Sequence, residues 1–240
     1  MKTDKRHYSY SGKSLTNLMG CYIKTQGDKM KPYYDDGKGI QIYLGDCRDI
    51  LPNLPKVDLV LTDPPYGNNT EYDQYNDTKE NLRELISDVF TEINRISNLT
   101  AITCGVGNMF LYPEPRWVMA WMTPAGSGSG PFGFCTWQPI LCYGKDPYLS
   151  NGLGRRADSF IHTESSKKLG HPCAKPIVLW EKVMLRFSVR DTDIVLDPFM
   201  GSGTTLVASK NLGRKATGID ISEKYCEIAA QRLFQEVLPL

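Results

Sequence analysis

Two short stretches hold residues whose types and spacing could do chemistry. Asp63-Pro64-Pro65-Tyr66-Gly67 follows the apolar run at 57–62. Two successive prolines fix φ, remove two backbone donors and push the residue before each out of the helical region. The result is a rigid rim that offers acceptors only, chiefly the Asp63 carboxylate and the Pro64 carbonyl, beside the aromatic plane of Tyr66. An acceptor-only rim suits a donor such as an –NH2 group. The plainer reading is a turn that ends a strand, which Pro-Pro-x-Gly also makes.

The second stretch is Asp197-Pro198-Phe199-Met200-Gly201-Ser202-Gly203-Thr204-Thr205. Its two glycines let the backbone approach a ligand closely and open a helix N-terminus. It lacks the Gly-Lys-Ser/Thr of a phosphate-binding loop, and Leu206 stands where the dinucleotide pattern has its third glycine. Asp220 lies 220 − 203 = 17 residues past the second glycine, near the ~20 expected of a carboxylate that grips ribose hydroxyls. A glycine loop and a ribose carboxylate without phosphate machinery point to an adenosyl ligand that has no pyrophosphate.

Elements must bring these residues together. Short strands are predicted at 41–44, 57–62, 99–104, 116–122, 139–143, 193–196 and 215–219, several of them mostly apolar as buried parallel strands are. Spacings of three and four predict helices over 81–96 and 175–187, and a further helix is placed at 204–212, after the glycine loop and with Gly213 as its C-terminal cap. Ser222 is placed to cap a last helix, whose inward positions would be Tyr225, Ile228, Ala229, Arg232 and Leu233. Residues 124–131 and 145–170 read as loop. Alternating strand and helix predict a doubly wound, mainly parallel α/β sheet, with ligands at the carboxyl ends of the strands. Asp46, Asp63, Asp197 and Asp220 all fall at such ends.

Composition sets wider bounds. With 240 residues, 41% hydrophobic and 23% charged, the chain has the balance of a soluble globular protein. No apolar run reaches the ~18 residues of a membrane span, and no secretory signal opens the chain. The seven cysteines have neither CxxC pairs nor zinc-like spacing, so reduced thiols in cytoplasm and no metal site are expected. Cys47, Cys104 and Cys142 read as buried thiols, and Trp117, Trp121 and Trp137 as core rather than a stacking platform. A net charge of +1 neither favours nor excludes nucleic acid. Residues 1–30 read as a flexible N-terminal extension, and 31–240 as one domain.

Taken together, these residues resemble the amino-methyltransferases of DNA. That group's catalytic motif, Asp/Asn/Ser-Pro-Pro-Tyr/Phe/Trp, is matched at Asp63, Pro64, Pro65 and Tyr66, and its cofactor loop at 199–203. The catalytic motif comes 197 − 63 = 134 residues before the cofactor loop, the permuted order called β-class. Gly45-Asp46-Cys47 resembles the segment that holds the cofactor's adenine, and 137–145 the segment that lines the target-base pocket. His171-Pro172-Cys173-Ala174-Lys175-Pro176 resembles the His-Pro-x-x-Lys-Pro signature at the methionine end, although a histidine before proline is also an ordinary cap or turn residue.

The resemblance implies a Rossmann-like methyltransferase fold with a seven-stranded sheet, and S-adenosylmethionine as cofactor. Asp46, Cys47, Asp63, His171, Lys175, Asp197, Phe199, Gly201, Ser202, Gly203, Thr204, Thr205, Asp220 and Ile221 would bind it. It implies a double-stranded DNA substrate whose target base is flipped out and stacked on Tyr66, in the cytoplasm of a bacterial, archaeal or phage-infected cell. Neither a metal nor a membrane is implied, and a homodimer is left open. The stretch at 145–170 corresponds to the group's target-recognition region and is short; Arg155, Arg156, Lys167 and Lys168 would contact DNA there, unless it is simply a solvated loop. The loop at 68–79 would close over the target base. Asp at the first motif position leans toward adenine N6 rather than cytosine N4. An RNA adenine methyltransferase, which typically has Trp at the position of Tyr66, and an inactive DNA-binding homologue are the other readings.

Overall fold

Residues 30–126, 128–162 and 175–234 are described by a computed structural model of the chain. The chain falls into two units, 1–31 and 32–240, and every element below belongs to the second. The expected extension at 1–30 lies outside the described residues apart from Met30. The first half runs β1 (Tyr34–Asp35), β2 (Ile40–Leu44), α1 (Cys47–Ile50), β3 (Leu59–Thr62), α2 (Lys79–Ile96), β4 (Leu99–Thr103) and β5 (Trp117–Met122). A small hairpin of β6 (Ser129–Gly130) and β7 (Gly133–Phe134) then leads into β8 (Trp137–Gly144), α3 (Pro147–Ser150) and β9 (Ser159–Ile161). The remainder is α4 (Ile177–Phe187), β10 (Ile194–Asp197), α5 (Thr204–Asn211), β11 (Lys215–Asp220) and α6 (Glu223–Phe234).

The main sheet has the order β1-β2-β11-β10-β3-β4-β8-β5-β9. From β2 to β4 all neighbours are parallel, and β8 runs antiparallel between β4 and β5. The fold is the α/β, mainly parallel one expected, but among the described residues the sheet has nine strands rather than seven. The two extra strands are the edges, β1 pairing with β2 and β9 with β5. At two and three residues each they are too short to show a periodicity.

Strand residues alternate between two cores. Leu61, Ala101, Met119, Ile140 and Val195 pack on one face with buried residues of α4, α5 and α6. Ile102 and Leu141 point the other way and meet Leu82 and Ile86 of α2. The buried set of α2 (Leu82, Leu85, Ile86, Val89, Ile93, Ile96) follows the three-and-four spacing of the sequence. By contrast α5 is buried from Thr204 to Ser209 all round, because it packs between α4 and α6 and against β11. Gly213 follows it with φ +70°, the left-handed cap expected.

Three local readings differ from the structure. The tract at 124–131 contributes β6 to a hairpin, and 145–162 contains α3 and β9. Of the three tryptophans, Trp121 is core, whereas Trp117 is 60% exposed and its indole donates to Asp158. Cys47 and Cys104 are buried and Cys142 partly so, and burial pushes each thiol up to about 12.

Candidate active site

Parallel strands place their carboxyl ends side by side, so β2, β11, β10, β3 and β4 deliver Asp46, Asp220, Asp197, Asp63 and Thr103 to one end of the sheet. The Asp63 carboxylate is held from three sides. Thr103 donates to Oδ1 at 2.5 Å, the Tyr66 hydroxyl lies 2.8 and 2.9 Å from the two oxygens, and Lys175 Nζ forms an ion pair with Oδ2. Lys175 also bonds the Tyr66 hydroxyl and lies 4.9 Å from its ring centroid. Asn108, in the short helical turn after β4, donates to the Tyr66 carbonyl. With the lysine side chain 8% and the aspartate 14% exposed, removing either partner leaves a poorly solvated charge. The rim was read as suiting an incoming donor; in the structure the chain's own donors already bond its Asp63 carboxylate.

Asp197 sits at the centre of a second set of bonds. It is 3% exposed and accepts from Thr62 (2.6 Å), Thr205 (2.5 Å) and the Phe199 amide (3.1 Å). Thr205 accepts in turn from the Trp180 indole at 2.7 Å. These bonds pin the end of β3 to the glycine loop, and burial raises the Asp197 carboxyl to about 6. Gly201 (φ +49°) and Gly203 (φ +77°) shape the loop. A Cβ on Gly203 would come 2.6 Å from Ala229 Cβ, so α6 presses on the loop from behind. Arg232 of α6 donates to the Ser202 carbonyl and hydroxyl and to Thr204.

Asp220, at the end of β11, accepts from the amides of Gly201 (2.9 Å) and Ser222 (2.8 Å). Burial pushes its carboxyl up to about 7. It lines a cavity of about 330 Å³ whose walls include Asp46, Cys47, Asp63, Phe199 and Ile221. That volume is within the range of small-molecule sites, roughly 300–1,000 Å³. A smaller cavity of about 30 Å³ is lined by Lys175, Ser202, Thr204 and Trp180. Asp63, Phe199 and Gly201 line both. The loop at 68–79 does not lie over Asp63 alone: Tyr72 to Tyr75 wall the larger cavity, and Asp73 accepts from the Ser222 hydroxyl at 2.7 Å. Buried Asp77 holds that loop through the amides of Gly67, Asn68 and Thr70.

The structure thus brings Asp46, Cys47, Asp63, Lys175, Asp197, Phe199, Gly201, Ser202, Thr204, Thr205, Asp220 and Ile221 to the two cavities. It does not bring Arg155 and Arg156 there. They precede β9, which runs parallel to β5, so they lie toward the opposite end of the sheet; Arg156 stacks on Tyr148 at 4.8 Å. Lys167, Lys168 and His171 lie outside the described residues. Thr103, Asn108, Asp73, Ser222 and Arg232 go beyond the expected set. Arg232 left a signal, a charge on the inward face of a predicted helix. Thr103 left a weaker one, since it ends the strand expected beside the catalytic one.

A family profile described as "DNA methylase" matches residues 117–231. Type II methyltransferase M.ScaI of Streptomyces caespitosus is 26% identical over 290 aligned positions, which span 97% of this chain and 92% of that one. The chain is thus similar to the DNA amino-methyltransferases. Further type II methyltransferases share 44–48% identity with this chain, but over stretches that span only 24–27% of their own length. Among solved structures, the M1.HpyAVI–SAM complex superposes with a TM-score of 0.62 at 25% identity, over 82% of this chain and all of that one. The cytosine-N4-specific PvuII methyltransferase gives 0.64 at 16% identity, over 84% and 88%, a likeness of fold alone. Among the described residues no three His, Cys, Asp or Glu side chains form a group that could hold a metal ion, and no helix is long and apolar enough to cross a membrane.

Proposed function

We propose that this chain transfers a methyl group from S-adenosylmethionine to N6 of adenine in double-stranded DNA. The observation that carries the reading is the position of Asp63, in the wall common to both cavities, beside the glycine loop. The residues fit the cofactor: a carboxylate at the end of β11, an apolar wall of Phe199 and Ile221, and a lysine in the smaller cavity. When bound, S-adenosylmethionine supplies a methyl group activated by its sulfonium.

In this reading Asp220 accepts from the ribose hydroxyls while Phe199 and Ile221 flank the adenine. Lys175 and the hydroxyls of Ser202 and Thr204 face the methionine end. The Asp63 carboxylate and the Pro64 carbonyl accept from the target amine. That favours a pyramidal nitrogen and frees a lone pair otherwise delocalised into the ring. The Tyr66 hydroxyl must first leave Asp63, and its ring then becomes available to the flipped base, a contact worth ~1–3 kcal/mol in single-strand binders. Alignment of amine and methyl is the chief catalytic contribution, up to about 7–11 kcal/mol where it is ideal. No protein nucleophile takes part. The reading places the enzyme in the cytoplasm, with the DNA it modifies.

Aspartate at the first motif position supports adenine over cytosine. The test is to incubate the purified chain with unmethylated DNA and cofactor and to analyse the nucleosides by mass spectrometry. N6-methyldeoxyadenosine is expected; N4-methyldeoxycytidine would move the reading to cytosine, and methylation of RNA alone would overturn it.

A further inference from the structure

We propose that the hairpin bearing Phe132 and Phe134 enters the DNA duplex and fills the space left by the flipped base, an inference that rests on the DNA-methyltransferase reading above. The hairpin leaves β5 at the carboxyl end of the sheet and returns into β8. Its legs are joined by Thr123 to Thr136 (2.7 Å), by Cys135 to Gly128 (2.9 Å) and by the β6–β7 pairing. At its end Phe132 and Phe134 are 104% and 83% exposed. Large apolar side chains so bare lose nothing by leaving water and gain by stacking.

Position and chemistry select DNA as the partner. Thr103 of β4 bonds Asp63 and pairs in register with Ile140 of β8. The returning leg therefore enters the sheet two strands from Asp63, about 10 Å at the usual strand spacing. From Thr123 to Trp137 no side chain is charged, so nothing in the hairpin repels phosphate. Its other residues are mostly glycine, serine, proline and alanine, which keep it thin, and a two-stranded ribbon fits a DNA groove. Proteins that distort DNA insert apolar wedges, phenylalanine among them, between base steps. A protein partner would instead favour a contiguous apolar patch, whereas these rings stand among glycines and serines.

The test uses the full chain as the Phe132→Ala/Phe134→Ala variant and duplexes carrying the site that the wild type methylates. In one duplex the target base is paired; in the other it lies opposite an abasic position and costs less to flip. The expected result is a loss of about tenfold or more in kcat/KM on the paired duplex and a loss within about threefold on the other. A 2-aminopurine placed at the target, bound without turnover, should fluoresce less with the variant than with the wild type. Equal losses on both duplexes, no loss on either, or a changed oligomeric state of the variant would each overturn the wedge. A wild type that methylates neither duplex would instead bring down the functional reading.

Discussion

The role proposed for Asp220 predicts that cofactor binding depends on pH. A buried carboxyl raised to about 7 is largely protonated below that pH and ionised above it. Ribose hydroxyls donate to the ionised form, so below pH 7 binding must first displace a proton. Cofactor affinity is expected to fall as pH drops through 7, by up to about tenfold per unit, and calorimetric titration between pH 8 and 6 would show it. A flat profile in the wild type, or the same slope in Asp220→Asn, would remove Asp220 from the ribose. For Asp63→Ala, methyl transfer should fall by at least about a thousandfold, while cofactor affinity stays within about tenfold. Because Lys175 then loses its partner, the variant should also melt several degrees lower; retained turnover would refute the role. Both aspartates were legible in the sequence: Asp63 follows an apolar run, and Asp220 ends a predicted strand 17 residues past Gly203. The donors that cover Asp63 were less so: Asn108 sits in a short helical turn with no periodic pattern.

At the scale of elements, the loop at 199–203 owes its shape to what lies behind it. Gly203 has φ +77°, and a Cβ there would strike Ala229. Gly203→Ala should therefore cost at least about 2 kcal/mol, from backbone strain together with the displacement of α6. In a chain of this size that is a fall of roughly 4–8 °C in Tm. Cofactor affinity should drop with it, because Gly201 and Ser202 move; an unchanged Tm would show that α6 yields freely. The helices α2, α4 and α6 could be read from their spacing because each buries one face. The helix α5, buried all round, was placed by its flanking glycines instead. The edge strands β1 and β9 and the β6–β7 hairpin escaped, since elements of two or three residues are fixed by partners distant in sequence.

For the molecule as a whole, topology decides what the motifs can do. Asp63 and the glycine loop lie 134 residues apart, yet β3 and β10 are parallel neighbours and deliver both to one end of the sheet. The doubly wound pattern foresaw that meeting, because consecutive parallel strands put all their carboxyl ends on one side. The same logic carries Arg155 and Arg156 away from the site, since they precede a strand parallel to β5 rather than follow one. The central claim is that the Asp63 rim presents an adenine amine to a methyl group held beside the glycine loop. Its most direct test is to express the wild type and Asp63→Ala in a host free of DNA methylation and to map modified bases by single-molecule sequencing. The account expects N6-methyladenine at one short recurring sequence with the wild type and none with Asp63→Ala. Modified cytosine in its place, or the same adenine marks from the variant, would contradict it.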